Sequence, residues 1–448
     1  MNAWLNRLAQ WVGIDFHIQQ TLLLRGWQVI SGGVMLIFVA HWMTGIEQGF
    51  YYTFSSLIAL QIFFELGLNY VVMQIVSHES AHLRIGSTGE LEGDPVHIDR
   101  IAALVALLRY WYRIGASLFF LGVGTFGMLF LSRSNALPVE EWLPAWCILI
   151  ALVSGNLYLS PMLAVFEGCG QVGQIAQLRL KQAITGSLLT WMLLSFGAGL
   201  VAVAALPIVD FIFSIWWLNR RGQLVNALRI RGMQPLLHRI VWRTEIFPLQ
   251  WRIALSWISG YFIFQLFSPM VFAHQGAVEA GRIGMTIAIF GALSNISMSW
   301  VNAKLPQLGA YVSRGDRAKL NNLFVITIIR SILFITITSS SFIILSAILI
   351  NFKFAFIERI SSVPILACLA VTAITNTFIF SAAGYMRAHR EEPMLAPSIC
   401  IGALTLAAVY FGSSYSVFFA VFLSTLITVF VGLPWTIFLF IPYYRRSP

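Results

Sequence analysis

The stretch 183–218, AITGSLLTWMLLSFGAGLVAVAALPIVDFIFSIWWL, contains a single charged residue, Asp210. Crossing the hydrocarbon core of a bilayer takes about 20 helical residues. Gly197 and Gly199 divide the stretch, and it reads as two short spans, 183–198 and 201–218. Counted as one span it leaves the whole chain with eleven crossings and its termini on opposite sides; counted as two it gives twelve, with both termini on one side.

The rest of the chain has the same character. Of 448 residues 58% are hydrophobic and 10% charged, with mean hydropathy +0.80, whereas soluble domains carry about 25% charged residues. Runs such as 34–40, 116–131 and 342–350 do not alternate as the strands of a closed barrel would, and they read as helices. The expected spans are 24–43, 48–76, 114–132, 143–166, 183–198, 201–218, 251–272, 282–303, 322–349, 363–385, 396–412 and 416–441. Residues 1–22, with Trp4, Leu8, Trp11 and Phe16 among polar positions, fit a short interfacial helix. No cleavable leader is recognised. Cys147, Cys169, Cys368 and Cys400 lack metal-ligand spacing and read as packing residues.

Sorting the 28 Lys and Arg among the loops decides orientation. All but Arg133, Arg282, Lys353 and Arg359 fall on the side that holds both termini and the segments 77–113, 167–181, 219–250, 304–320 and 386–395. Both termini are therefore expected in the cytoplasm. The net charge of +10 follows from this topology and calls for no nucleic acid. The opposite loops are too short for a catalytic domain.

The segment 219–250 mixes Leu224, Leu228, Leu236, Leu237 and Ile240 with Arg220, Arg221, Arg229, Arg231, Arg239 and Arg243. It reads as a basic amphipathic connector, suited to anionic headgroups or to plain tethering. It divides the chain into a six-helix bundle over 1–220, the connector at 221–250, and a second six-helix bundle over 251–448. The halves echo one another. Arg25 and Arg252 precede Ile30-Ser31-Gly32 and Ile258-Ser259-Gly260, and the next spans open with Glu47-Gln48-Gly49 and Glu279-Ala280-Gly281. Ala164-Val-Phe166-Glu-Gly168 and Ala383-Gly-Tyr385-Met-Arg387 add a weaker match. Six spans is an even number, so the repeat is parallel, about an axis along the membrane normal. Such a repeat encloses a cleft and suits alternating access by rocking of the halves.

Gly45-Ile-Glu47-Gln-Gly49-Phe-Tyr51 followed by Phe64-Glu65-Leu-Gly67-Leu68, with Ala280-Gly281-Arg282-Ile-Gly284-Met285, Trp300-Val-Asn302-Ala-Lys304-Leu-Pro306 and Gly315-Asp316, resembles the polysaccharide biosynthesis branch of the multidrug/oligosaccharidyl-lipid/polysaccharide exporter superfamily. Glu65 stands where that family often has Asp, which keeps the charge. The resemblance implies an all-α, MATE-like membrane fold in a bacterial inner membrane. It also implies a flippase that carries undecaprenyl-pyrophosphate-linked oligosaccharide, for O-antigen, capsule or a related polysaccharide, to the periplasmic face. Its implied partners are the lipid-linked oligosaccharide, membrane lipids, a proton or sodium ion, and polysaccharide polymerase or assembly proteins. No cofactor is implied.

Such a substrate needs cations for its pyrophosphate and a polar path for its glycan. Arg25 and Arg252 open the first helix of each half, Lys304 closes the eighth, and Arg330 lies about two turns into the ninth. Arginine suits bidentate phosphate capture, and the competing reading is a set of anchors that snorkel to headgroups. Arg282, on the side that positive charge avoids, either meets substrate or pairs with Glu279, its i−3 neighbour, and the ion pair is preferred. Asn295, Ser299 and Asn302 are spaced to share one helix face and, with Gln265, offer a glycan path or interhelical hydrogen bonds. Asp210 and Glu65 are carboxylates within spans and candidates for ion coupling, against a helix–helix hydrogen bond or a structural pair. Trp42, Trp142, Trp146, Trp257 and Trp300 are read as interfacial belt residues.

An enzyme is not expected, because no Ser-His-Asp order, DxD or phosphate-cradling glycine loop occurs, although His78-Glu79-Ser-Ala-His82 has the HExxH spacing. A drug/cation antiporter of the same superfamily remains an alternative, as does a non-transporting scaffold. A membrane glycosyltransferase or polymerase would call for the large external loops that this chain lacks.

Overall fold

A computed structural model of the chain describes residues 16–86, 91–233, 240–352, 355–389, 391 and 393–445. The proposed interfacial helix over 1–22 therefore lies mostly outside the described residues, as do Leu236, Leu237 and Arg239 of the connector and Lys353. The helices, in chain order, are α1 (Phe16–Trp42), α2 (Gly45–Ile58), α3 (Leu68–Ser80), α4 (Pro95–Leu118), α5 (Gly124–Ser132), α6 (Val139–Phe166), α7 (Val172–Ser195), α8 (Ala205–Asn219), α9 (Gly222–Gly232), α10 (Phe247–Phe264), α11 (Phe267–Gln275), α12 (Ala277–Arg314), α13 (Arg317–Asn351), α14 (Val363–Ala388), α15 (Leu395–Tyr415), α16 (Val417–Ile427) and α17 (Leu433–Arg445). A small antiparallel ribbon, β1 (Leu83–Ile85) with β2 (Leu91–Gly93), pairs Leu83 with Gly93.

Among the described residues ten helical stretches are long and apolar enough to cross a membrane. The bent pair Gly45–Glu65 and Leu68–Ser80, 44° apart, brings the number to eleven. One of the ten, Val139–Ser195, is 57 residues long. At 1.5 Å per residue it would measure ~85 Å, far beyond a ~30 Å hydrocarbon core. It is broken at Cys169 (ψ 15°) and Gly170 (φ +83°) into α6 and α7, each long enough to cross, and the span count becomes twelve. The stretch 183–218 breaks at Gly197 (φ +79°) and Gly199 (φ +54°), backbone that glycine adopts without a Cβ penalty. The fifth span nevertheless starts earlier than the sequence suggested. Residues 172–181, expected as loop, already belong to α7, because no proline interrupts this stretch and Gly186 within it takes no positive φ.

The chain forms two compact units. The first takes the described parts of Met1–Phe38, Leu60–Arg133 and Pro138–Ala254; the second takes Val39–Ala59, Ser134–Leu137 and Leu255–Pro448. In the first unit α1 is tied to α7 by Trp27 Nε1, which donates to Ser187 Oγ at 3.2 Å, and by Phe38 stacked on Trp191. Asp94 caps α4 by accepting from the Val96 N–H at 2.9 Å, with Pro95 in its first turn. Carboxylates of this region are paired with arginines: Glu79 with Arg100 and His97, Asp99 with Arg231, and Glu245 with Arg100. Trp142 and Trp146 are buried, at 2% and 0% exposure, which corrects the belt assignment for these two. The Trp146 indole donates to the Gly124 carbonyl at 3.0 Å and fills the space left by Gly127, whose Cβ would lie 2.1 Å from the ring.

In the second unit the sequence motifs acquire physical reasons. Thr44 and Glu47 form a reciprocal capping box at the start of α2: the Thr44 N–H donates to Glu47 Oε2 at 2.7 Å and the Glu47 N–H to Thr44 Oγ1 at 3.2 Å. Beyond the cap, Gly49 lies against the Ala277 carbonyl, Gly281 against the backbone of Gly49 and Gly45, and Gly284 against Tyr52. The two matching Glu-x-Gly segments of the halves thus meet each other, in the small-residue manner of close membrane helix pairs. Gln48, 1% exposed, bridges this seam by donating Nε2 to the Gly281 carbonyl at 2.8 Å and the Arg359 carbonyl at 2.9 Å. Elsewhere Ser297 and Ser331 exchange hydrogen bonds with each other's carbonyls at 2.8 and 2.9 Å, fixing α12 against α13. A buried cluster of Phe324, Ile328, Tyr385, Met386 and Phe440 joins α13, α14 and α17.

The Phe64-Glu65-Leu-Gly67-Leu68 motif lies at the bend before α3. Leu66 (φ +50°) and Gly67 (φ +67°) are both left-handed, and a Cβ on Gly67 would meet Ile253 Cγ2 at 2.4 Å. Gly67→Ala is expected to cost about 1–3 kcal/mol through left-handed strain and crowding. Thermal unfolding of the purified protein reads this directly, and an unchanged midpoint would show that the bend tolerates a side chain.

Candidate functional site

The predicted site residues separate into distinct settings. Arg282 makes its ion pair: Nη1 lies 2.6 Å from Glu279 Oε1, and Nε donates to the Glu358 carbonyl at 2.9 Å. Arg25, Arg252, Lys304 and Arg330 have no carboxylate within 4.0 Å among the described residues. Arg25, Arg252 and Arg330 are exposed, and Lys304 is half-buried. Arg252 leans toward the Trp251 ring at 5.5 Å.

Asn295, Ser299 and Asn302 are all exposed on α12. Ser297 faces α13, and at ~100° per residue these three lie ~140–200° round the helix from it. The polar stripe therefore points away from α13, as a wet surface would require, since unpaired amides are costly against acyl chains. Ser299 also donates back to the Ile296 carbonyl at 2.6 Å. Gln265 is exposed at the break between α10 and α11.

Arg330 does not join that stripe. Its i−4, i+3 and i+7 neighbours Ile326, Leu333 and Ile337 are 41%, 54% and 62% exposed, so its face of α13 is apolar. A long side chain on such a face carries its charge toward headgroups.

The two carboxylates differ. Glu65 accepts at Oε1 from Asn69 Nδ2 at 2.7 Å; the same amide donates to Ser160 Oγ at 3.0 Å, and Asn69 Oδ1 accepts from the Tyr112 hydroxyl at 2.9 Å. Glu65 thus belongs to a four-residue network centred on Asn69, which joins the α3, α4 and α6 segments inside the first unit. Sequence reading singled out Glu65 and missed its hub, although the i,i+4 spacing to Asn69 was visible. Asp210 is half-buried on α8. The interhelical bond at that position is taken by its main-chain carbonyl, which accepts from Gln182 Nε2 at 3.0 Å. Its carboxylate makes no hydrogen bond or ion pair among the described residues.

Among the described residues, then, three candidate cations, Arg25, Arg252 and Lys304, are free to take phosphate oxygens, one of the two candidate carboxylates, Asp210, is free to take a cation, and one polar stripe is open to a hydrophilic ligand.

No family model matches this chain, and no curated protein matches it in sequence. Solved structures do match its fold. The inward-facing conformation of a multidrug resistance MATE family transporter of the MOP superfamily superposes with TM-score 0.60 at 15% identity, covering 94% of this chain and 100% of that one. The outward-facing conformation of such a transporter gives 0.51 at 14% identity, covering 96% and 97%. The lipid II flippase MurJ, in an inward closed conformation, gives 0.58 at 11% identity, covering 96% of this chain and 88% of that one. The chain is a multi-pass membrane protein with a MATE/MOP-type fold.

Proposed function

We propose that the chain is a flippase that carries undecaprenyl-pyrophosphate-linked oligosaccharide from the cytoplasmic to the periplasmic face of a bacterial inner membrane by alternating access. The observation that carries this reading is the imbalance of unpaired charge. Among the described residues Arg25, Arg252 and Lys304 have no carboxylate within 4.0 Å, and the Asp210 carboxylate, unlike that of Glu65, makes no hydrogen bond. An anionic head on an apolar tail is the complementary ligand. The α12 stripe of Asn295, Ser299 and Asn302 is assigned to the glycan, Gln265 to the same path, and Asp210 to coupling by a proton or sodium ion. Glu65 and Arg282, which have the partners Asn69 and Glu279, are assigned structural roles in this reading.

The test uses the full chain in proteoliposomes carrying a fluorescent undecaprenyl-pyrophosphoryl oligosaccharide, with transfer read by loss of accessibility to an added glycosidase. Protein-dependent transfer, reduced at least about tenfold in Arg25→Gln/Arg252→Gln, is expected for charge-assisted contacts of about 1.5–3 kcal/mol each. Efflux of a cationic dye without lipid transfer would replace this reading with a drug/cation antiporter.

A further inference from the structure

On the first unit, residues 106, 109, 110, 113, 117, 120 and 121 follow helical spacing along one outward side of the continuous helix Pro95–Ser132. Beside them runs a chain of three adjoining cavities that share Tyr158 of α6. One, of about 170 Å³, is lined by Arg109, Tyr158 and Arg229 over an apolar floor of Val105, Leu108 and Met162. A second, of about 220 Å³, lies among Arg109, Tyr110, Arg113, Tyr158 and Arg229. The third, of about 440 Å³ and open at the side, adds Ser117, Phe120 and Leu121 to Arg113 and Tyr158.

The groove is therefore cationic at one end and apolar at the other. None of its three arginines has a carboxylate within 4.0 Å among the described residues. The acids that could have neutralised them, Glu79, Asp99 and Glu245, are engaged by Arg100 and Arg231. The α9 helix shows the contrast within itself, with Arg231 paired and Arg229 left facing the groove. From Arg109 to Leu121 the helix rises ~18 Å, close to the ~15 Å depth of one hydrocarbon leaflet. A free anion would use only the first end; a neutral acyl chain only the second.

We propose that this groove holds an anionic phospholipid of the surrounding bilayer. Its phosphate sits among Arg109, Arg113 and Arg229 with the Tyr158 hydroxyl as a further donor, and an acyl chain lies along Ser117, Phe120 and Leu121. The site is a lateral one, built of residues separate from those assigned to transport, and it stands or falls independently of the flippase reading. By engaging both α4 and α9, such a lipid ties the connector to the first bundle.

The experiment is native mass spectrometry of the full chain released from nanodiscs of phosphatidylcholine with or without phosphatidylglycerol. Wild type is expected to retain phosphatidylglycerol in preference to phosphatidylcholine. Arg109→Gln/Arg113→Gln/Arg229→Gln should retain at least ~tenfold less, because all three basic contacts to the phosphate are removed. Arg314→Gln, an exposed arginine elsewhere, should retain the wild-type amount. Ser117→Trp, which fills the apolar end and leaves every charge in place, should also lose the lipid, and it decides the matter if the triple variant does not fold. Equal retention by Ser117→Trp and wild type, equal retention of the two lipids, or displacement of the lipid by inorganic phosphate alone would each overturn the proposal.

Discussion

Gly49→Val is expected to produce the largest loss of stability of any single substitution considered for this chain. A Cβ at position 49 would stand 1.9 Å from the Ala277 carbonyl oxygen and 2.6 Å from its carbon, while one at 281 would stand 2.9 Å from the Gly49 nitrogen. Overpacking against movable side chains costs about 1–3 kcal/mol. Here the wall is backbone on both sides, so relief requires α2 to separate from α12, and the cost should exceed ~3 kcal/mol. The Gln48 bonds to the Gly281 and Arg359 carbonyls would be lost in the same movement. Gly291→Ala, on the same α12 but with nothing near its Cβ, should be neutral or stabilising by up to about 1 kcal/mol. Thermal unfolding of both variants in one detergent separates packing from helix propensity. A Gly49→Val protein with the wild-type midpoint would mean that the α2–α12 seam is not closed in solution.

Asn69→Leu is expected to follow. The substitution keeps approximate volume but removes two donors and an acceptor at once, leaving Glu65, Ser160 and Tyr112 without the partner that each has in the native network. Buried polar groups stripped of their bonds cost about 1–3 kcal/mol each, and more when charged, so a total of ~3–5 kcal/mol is expected. Tyr112→Phe removes one hydroxyl and should cost ~1 kcal/mol. The double variant should be far less than additive, because the hydroxyl's partner is already gone. Additive losses would show that Asn69 and Tyr112 act separately.

Much of the fold was legible because the bilayer imposes it. Apolar length gave the spans, and the glycine pair at 197 and 199 placed the turn that makes them even in number. The Glu279–Arg282 pair was legible from local spacing alone. What escaped were relations between distant segments. Gly45, Gly49 and Gly281 were visible as a motif, but nothing in a single sequence says that the first two face the third. Arg330 was placed by depth, and depth does not reveal that its neighbours on the helix face are exposed isoleucine and leucine. The arginines at 109 and 113 were absorbed into a basic loop, although Asp94-Pro95 marked a helix start ahead of them and their i,i+4 spacing put both on one side.

The seam between α2 and α12 also constrains how the protein is made. Gln48 and Gly281 are 233 positions apart, and at roughly 5–20 residues per second a ribosome needs ~10–50 s to deliver the second after the first. Throughout that interval the earlier segment sits in the bilayer with its glycine face uncovered. Any insertion chaperone, or another nascent chain bearing a similar small-residue face, has those seconds in which to occupy it, so the yield of correctly assembled protein is governed by translation speed as well as by final stability.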